Sequence, residues 1–287
     1  MVVALDFIRE LLIYCLYSAF LDGEYPVSLI IVAPPEHGKS LVLEQIASFP
    51  TVISVNFFSR LGLLTRYQTE IERGEKRTIV IPDLSSIMGS VSYPTFRNFL
   101  ELLKCLMEEG IKAVHTKFIQ LDFKRAVRMN VLTSIVPSYF KDKRTLKTWY
   151  RIGLIGRFLI LSYTYKAETA KKIVDYIMRS EWLVDEIPEW EQLVERAYYL
   201  AKNPQKVIID KNYEAVLYPQ AFTILKDYLQ HIPIDDKEKG FGFRIFRHLK
   251  TLCMARALVF GRKKVEKDDV LRICSFTPYM SLSFPKI

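Results

Sequence analysis

The sequence predicts an α/β protein in which a parallel sheet covered by helices is followed by a mainly helical region. Through the first 165 residues, short apolar runs that fit strands alternate with longer helical patterns. Such alternation is typical of a parallel sheet with helices on both faces. Past residue 166, helical patterns dominate. We therefore expect an α/β domain over residues 1–165 and a helical domain over residues 166–287.

The first element is a strongly apolar segment, Val2 to Phe20. Charged residues interrupt it, and no small-residue cleavage site follows a basic start, so it does not fit a leader peptide or a membrane span. Its apolar residues recur at helical spacing, at Leu5, Ile8, Leu12, Leu16 and Phe20. The pattern predicts an amphipathic helix packed on the α/β domain of a cytoplasmic protein with no membrane partner.

The next feature is the loop Ala33–Ser40, with the letters APPEHGKS. It lies between an apolar strand pattern and a helix start, which is the context of a phosphate-binding P-loop, although Ala33 stands where Gly is usual. The alternative is a chance Gly-Lys-Ser at a helix cap. In a P-loop, Lys39 would reach the β- and γ-phosphates and the Ser40 hydroxyl would hold Mg²⁺. The residues predicted to line the nucleotide are Pro34, Pro35, Glu36, His37, Gly38, Lys39, Ser40 and Leu41.

The alternation of strand and helix continues after this loop. Strands are predicted over Val52–Phe57, Thr78–Asp83 and Val127–Ile135, helices over Leu63–Arg73 and Tyr93–Glu109, and a possible hairpin over Ala113–Phe123. The helical region has patterns over Ala167–Trp182, Glu189–Ala201, Pro219–His231 and Phe243–Val259. Ligands bind beyond the carboxyl ends of parallel strands, so the P-loop and Asp83 are expected to meet.

Asp83 ends an apolar strand some distance after the loop. A carboxylate there can bind Mg²⁺ through water, while the alternative is an ordinary acid at a strand-to-turn boundary. Many P-loop ATPases place Glu directly after this Asp to orient the attacking water, whereas this chain has Leu84. The sequence therefore predicts slow hydrolysis or another acid in that role.

Two further residues are candidates for contact with a γ-phosphate. Thr133 ends a strand, where its hydroxyl would lie beside the phosphate, although Thr is common at strand ends. Arg157 is expected to lie beyond the last core strand. It is either an arginine finger, whose guanidinium offsets the charge that develops in phosphoryl transfer, or a surface residue that caps a helix. The local sequence does not choose between these.

The chain is basic, with 41 Lys and Arg against 32 Asp and Glu and a formal net charge of +9. Basic residues concentrate in Lys141–Arg157 and at Lys124, Arg125 and Arg128. These groups fit an anionic partner such as DNA, and they also fit solvated or subunit-contact faces. The four cysteines show no Cys-x-x-Cys pair and the four histidines no metal-ligand spacing.

Together, these residues resemble the AAA+ ATPases. Ala33–Ser40 is similar to their Walker A motif, Thr78–Asp83 to Walker B and Thr133 to sensor 1. The segment Leu154–Phe158 resembles the arginine-finger segment of minichromosome-maintenance helicases, written Leu-x-Ser-Arg-Phe, with Gly156 in place of Ser. The resemblance implies a fold with a P-loop nucleotide domain followed by a helical lid.

The helical region resembles the lid of the same helicases. In that lid an Arg lies at the start of a long helix. The corresponding residue in this chain is Arg244, and Arg247, one helical turn later, is the alternative. By this resemblance Arg244 would be sensor 2, which couples the nucleotide state to the angle of the lid. Lys39, Ser40 and Asp83 would act in the same subunit, and Arg157 would reach in from a neighbour.

The resemblance further implies a homo-oligomeric ring that binds ATP and Mg²⁺ between subunits. In such helicases a hairpin before sensor 1 carries basic residues into the central pore, so Lys117, Lys124 and Arg125 would contact the DNA backbone. The expected function is an ATPase that remodels or moves on DNA, with replication of a mobile element as one setting. The alternatives are a protein-remodelling AAA+ factor and a slow-hydrolysing switch or scaffold.

Overall fold

The computed structural model describes residues 5–56, 60–115, 120–178, 189–233, 240 and 242–287. Its strands are β1 (Ser28–Val32), β2 (Val52–Ser54), β3 (Thr78–Ile81), β4 (Ile111–His115), β5 (Gln120–Val127), β6 (Asn130–Ile135) and β7 (Phe158–Ser162). Five of them form a parallel sheet in the order β2-β3-β6-β1-β7, while β4 and β5 form a separate antiparallel pair. The predicted α/β class with a parallel sheet is confirmed.

Helices cover the sheet and make up most of the region after it. They are α1 (Asp6–Ser18), α2 (Lys39–Ala47), α3 (Arg60–Arg66), α4 (Gln68–Glu72), α5 (Leu84–Ser90), α6 (Tyr93–Lys104), α7 (Ser138–Lys141), α8 (Lys143–Arg151), α9 (Ala167–Met178), α10 (Trp190–Lys202), α11 (Lys211–His231), α12 (Phe243–Val259) and α13 (Lys267–Phe276). A π-helical turn over Cys105–Glu109 extends α6, and a 3₁₀ turn over Thr277–Tyr279 follows α13. No helix among the described ranges is both long and apolar enough to cross a bilayer.

Strand β7 corrects one sequence-based expectation. Arg157 was expected beyond the last core strand, but it lies directly before β7, which is buried along its whole length and pairs with β1. A fully buried strand reads as a continuous apolar run without alternation, so periodicity did not reveal it.

Several element boundaries also differ from the sequence pattern. Helix α11 begins at Lys211 rather than at Pro219, because Asp210 caps it by accepting a hydrogen bond from the amide of Asn212 at 2.8 Å. Pro219 therefore lies inside a helix that it was expected to open. The strand predicted over Val127–Ile135 is divided between β5 and β6. Residues 179–182 of one predicted helix, and Lys117, lie outside the described residues.

Helix α1 is buried on nearly all sides from Leu11 to Ser18, and the sequence pattern predicted an amphipathic helix packed on the α/β domain. It packs on α2, β1 and β6 on one side and on α12 on the other. The apolar residues around it belong to one contiguous core that includes both the sheet and the later helices. Helix α1 therefore joins the helical region to the sheet.

The parallel sheet has two chemically distinct edges. The carboxyl ends of its strands share one edge, here the carboxyl edge, and the strand starts share the opposite amino edge. Strand β1 has five residues, and at about 3.3 Å per residue it separates the two edges by about 17 Å. The loop before α2 lies at the carboxyl edge, whereas residues that directly precede a strand lie at the amino edge.

Candidate nucleotide-binding site

The loop between β1 and α2 has backbone amides available for an anion. Pro34 and Pro35 have no N–H, so the loop's first donors are the amides of Glu36, His37 and Gly38. Among the described residues these three amides have no hydrogen-bond acceptor. Glu36 and Gly38 adopt left-handed backbone conformations, with φ of 64° and 71°. Such a turn directs successive N–H groups into one concavity, and the N-terminus of α2 adds its own unpaired amides.

Lys39 lies beneath this loop, and only 8% of its surface is exposed. Its ammonium donates hydrogen bonds to the carbonyls of Ala33 and Pro34, each at 2.7 Å. Burial lowers the pKa of Lys39, and the negative charge of Asp83 opposes that shift. The cation is thus held at the loop, within electrostatic range of Asp83.

Asp83 and Ser40 fit the two protein ligands expected for a magnesium ion. Asp83 follows β3 at the carboxyl edge and caps α5, with its Oδ1 accepting from the amide of Ser85 at 2.9 Å. Ser40 is exposed in the first turn of α2. Mg²⁺ is usually held by one or two carboxylates together with substrate phosphates and water. The absence of a cluster of three or more metal-ligating side chains in the described ranges therefore does not conflict with this assignment.

Thr133 lies between the loop and Asp83, on β6, but below them. It pairs with Ile30 and Ile81, so it stands two residues before the level of Asp83 on the same face of the sheet. Its hydroxyl is buried and has no hydrogen-bond partner among the described residues. Thr133 therefore lies on the strand between the loop and Asp83. Its hydroxyl is further from the carboxyl edge of the sheet than the loop and Asp83 are. Its predicted contact with a phosphate stays a prediction.

Residues after β7 hold the loop in place, and the sequence did not indicate them. The hydroxyls of Tyr163 and Tyr165 both donate to the carbonyl of His37, at 2.5 and 3.0 Å. The His37 ring stacks on Tyr165 with centroids 4.4 Å apart and planes within 6°. Burial raises the pKa of Tyr165 to about 12, so its hydroxyl keeps its proton. The missed strand β7 explains why neither tyrosine was recognised.

Leu5 covers the other side of the loop. A Cβ added at Gly38 would lie 2.4 Å from Leu5 Cδ1, so the Leu5 side chain would have to shift to admit one. The left-handed φ of Gly38 favours glycine at this position. The loop is therefore fixed by α1 on one side and by the tyrosines on the other.

The three arginines predicted to act on a phosphate lie together, around one acid. Arg157 Nε lies 2.9 Å from Glu108 Oε2. Arg244 Nε donates to both carboxylate oxygens at 3.1 Å, and Arg247 Nη2 donates to Oε1 at 2.8 Å. Although burial acts to raise the pKa of Glu108, hydrogen bonds and charge from these arginines bring it down to about 2. Glu108 comes from the π-helical turn, and no sequence signal pointed to it.

This arginine cluster (Arg157, Arg244, Arg247) lies at the amino edge of the sheet. Arg157 directly precedes β7, and a Cβ built on Gly156 beside it would lie 3.5 Å from Arg244 Cδ. The P-loop of the same chain is at the carboxyl edge. In this conformation Arg244 pairs with Glu108 and lies away from the P-loop of its own chain. Its predicted role as sensor 2 stays a prediction. Arg157 is not a surface residue, since its side chain is only 9% exposed. Its role as an arginine finger stays a prediction.

Gly153 fixes the position of Arg157. Its φ is 74°, and its carbonyl accepts a hydrogen bond from Arg157 Nη1 at 2.9 Å. A Cβ there would lie 2.6 Å from the same Nη1. We expect Gly153→Ala to lower the free energy of unfolding by about 1–2 kcal/mol, because a left-handed backbone disfavours alanine. The measurement is equilibrium denaturation by urea.

Gly89→Ala is the matched control for that substitution. Gly89 lies within α5, and a Cβ there would meet nothing within 4 Å. Alanine at such a position is expected to raise stability by about 0.5–1 kcal/mol. Equal effects of the two substitutions would show that Gly153 is not under the strain inferred here.

No protein-family model matches the sequence, and no curated protein matches it significantly.

Proposed function

We propose that this chain is an AAA+-type ATPase that binds Mg-ATP at its P-loop and completes the site with arginines from a second copy. The observation that carries the proposal is the loop, in which three unpaired amides, a buried lysine and a helix N-terminus converge beside Asp83. These are the groups that hold a triphosphate and its metal in P-loop enzymes.

Each residue has a specific part in the proposed reaction. The amides of Glu36, His37 and Gly38 hold the phosphate chain, and Lys39 neutralises the charge on the β- and γ-phosphates. Magnesium, when bound through Ser40 and Asp83, supplies charge neutralisation at the phosphate oxygens. Water attacks the γ-phosphorus, the bond to the β–γ bridging oxygen breaks, and ADP leaves with inorganic phosphate.

The opposite placement of loop and arginines supports a head-to-tail oligomer. A contact between two different faces of one protein is heterologous, and it closes into a ring when the rotation permits. The carboxyl edge of one copy would then face the amino edge of the next. In that arrangement Arg244, with 44% of its side chain exposed, is the most accessible arginine of the cluster.

The β4–β5 pair supports DNA as the partner. It is separate from the main sheet, and it exposes Lys112, Lys124 and Arg125. Exposed cations on such a pair suit contact with a phosphate backbone. A slow-hydrolysing switch is the second candidate, and it is favoured by Leu84, which is fully buried where an acid would orient water.

The test is ATP turnover by the purified chain, with and without single- and double-stranded DNA over a range of salt, beside a native mass measurement. We expect an oligomer whose turnover rises with DNA. Lys124→Glu/Arg125→Glu should weaken DNA binding and reduce the log–log salt slope by about 2, since each phosphate contact contributes roughly one.

The control for net charge is Lys263→Glu/Lys264→Glu, an equally exposed pair elsewhere. This variant should bind DNA as the wild type does. If DNA does not change the rate of ATP turnover, DNA is rejected as the partner. If no partner raises turnover above a trace rate, the slow-hydrolysing switch is favoured.

A further inference from the structure

Glu108 occupies a site that is built for an anion. Its carboxylate is contacted by three guanidinium groups, and a fourth, from Arg128, donates to its backbone carbonyl at 2.7 Å. The only other acid among these described contacts is Glu109, 3.1 Å from Arg157. Four guanidinium groups thus surround two carboxylates, and the site stays positive with Glu108 in it.

Three of the four guanidinium groups have a partner other than Glu108. Arg247 and Arg128 stack on the ring of Tyr25, at 4.2 and 4.8 Å from its centroid. Arg157 is fixed by the carbonyl of Gly153 at 2.9 Å. Removal of the carboxylate would therefore leave Arg157, Arg247 and Arg128 close to their present positions, whereas Arg244, which pairs with Glu108 alone among the described contacts, would be released to meet another oxyanion.

The backbone that presents Glu108 is unusual. Residues Cys105–Glu109 form a π-helical turn, which ends at Gly110 with φ of 79°. Such turns are rare and are found frequently at functional sites. The turn brings both Glu108 and Glu109 to the arginines, while α6 before it is an ordinary helix.

The cluster is accessible from outside the chain. The side chains of Arg244 and Arg247 are 44% and 27% exposed, whereas that of Glu108 is 16% exposed. A cavity of about 660 Å³ opens beside Gly156 and Arg244. Of the arginine cluster, Arg244 lines this cavity.

We propose that Glu108 is an internal substitute for phosphate, which holds the arginine cluster in the isolated chain and is displaced by the terminal phosphate of a nucleotide bound to a second copy. The inference rests on the proposed function and adds its regulation. Guanidinium groups bind carboxylate and phosphate through the same paired N–H donors, and phosphate carries more charge. Glu108 therefore opposes assembly, because it competes with the neighbour's phosphate for the arginine cluster. Only a neighbour that holds a nucleotide displaces it.

The test is Glu108→Gln in the full chain, with ATP turnover measured against protein concentration. We expect half-maximal specific activity at a protein concentration about 3- to 10-fold lower than for the wild type, and an unchanged maximum at saturation. The same shift should appear in the ATP-dependent formation of oligomer by native mass. Glu109→Gln is the matched control, since it removes an equal charge one residue away and contacts only Arg157 among the cluster; its midpoint should stay near that of the wild type.

Five outcomes would overturn this inference. An unchanged midpoint, or the same shift in both variants, would remove Glu108 as a specific competitor. A lower maximum at saturation would show that Glu108 positions the arginines for catalysis instead. If thermal unfolding shows that Glu108→Gln is not folded, Glu108→Asp is used in its place. Its shorter carboxylate should shift the protein concentration at half-maximal activity in the same direction. If that concentration does not change, the inference is rejected. A wild type that never hydrolyses ATP rejects the proposed function, and this inference with it.

Discussion

Lys39→Ala is expected to lower kcat/KM for ATP hydrolysis by at least about 100-fold, the scale found when one preorganised donor is removed from a transition state. The Lys39 ammonium lies against the carbonyls of Ala33 and Pro34 and is already largely desolvated. Little reorganisation is needed for it to meet a phosphate, and no other group of the described loop carries positive charge. The measurement is steady-state phosphate release.

Lys76→Ala is the matched control for that substitution. The Lys76 ammonium also donates to two backbone carbonyls, those of Pro50 and Val52, at 2.7 and 2.9 Å, and burial lowers its pKa as well. It precedes β3 and so lies at the amino edge. We expect Lys76→Ala to affect stability while turnover per folded molecule is kept. If Lys39→Ala hydrolyses ATP as fast as Lys76→Ala does, the loop is not the nucleotide site.

The strand–loop–helix arrangement around Lys39 could be predicted from the sequence because the residues that define it are adjacent in the chain. Gly38 and Lys39 are adjacent to the strand and helix that position them, and the apolar run, the loop motif and the helix start follow one another directly in the sequence. Asp83 could be placed beside the loop for a similar reason, since the carboxyl ends of parallel strands share one edge. Both placements needed only the class of the fold.

The arginine cluster could not be predicted, because it depends on contacts between distant parts of the chain. Arg244 and Arg247 meet Glu108 from 136 and 139 residues away. Nothing in the sequence near Glu108 distinguishes it from an ordinary helix-end acid, and the π-helical turn that presents it has no residue signature. The resemblance to helicase motifs named Arg157 and Arg244, with Arg247 as the rival of Arg244, but the edge of the sheet at which they lie followed only from the position of β7.

The tyrosines beside the loop show how one missed element affects others. Tyr163 and Tyr165 follow β7, and only that strand brings them to the P-loop. Without the strand, the sequence does not predict their contact with the loop. A five-residue apolar run is ambiguous by periodicity, and neither glycine nor proline marks its end. The remaining errors, such as the start of α11, are displacements of boundaries within elements that were otherwise recognised.

A second large effect is expected when two inactive variants are mixed. Lys39→Ala removes the loop cation and keeps the arginine cluster, while Arg244→Ala/Arg247→Ala keeps the loop and removes the two exposed arginines. Each alone should retain at most about 1% of wild-type turnover, on the scale known for arginine fingers. Glu108 remains paired with Arg157 in the second variant, so no buried charge is left uncompensated.

In an equal mixture, about one interface in four would join an intact loop to intact arginines from its neighbour, as expected for random heterologous assembly. Turnover should therefore recover to about a quarter of the wild-type value, a gain of more than tenfold over either variant. The control mixes Lys39→Ala with a chain that carries all three substitutions, in which no interface can be complete and no recovery is possible. Because the loop and the arginine cluster lie at opposite edges of one sheet, a single chain cannot produce this recovery. A mixture that shows only the average of its two components would mean that the nucleotide site is built from one chain, and that the arginine cluster serves the fold alone.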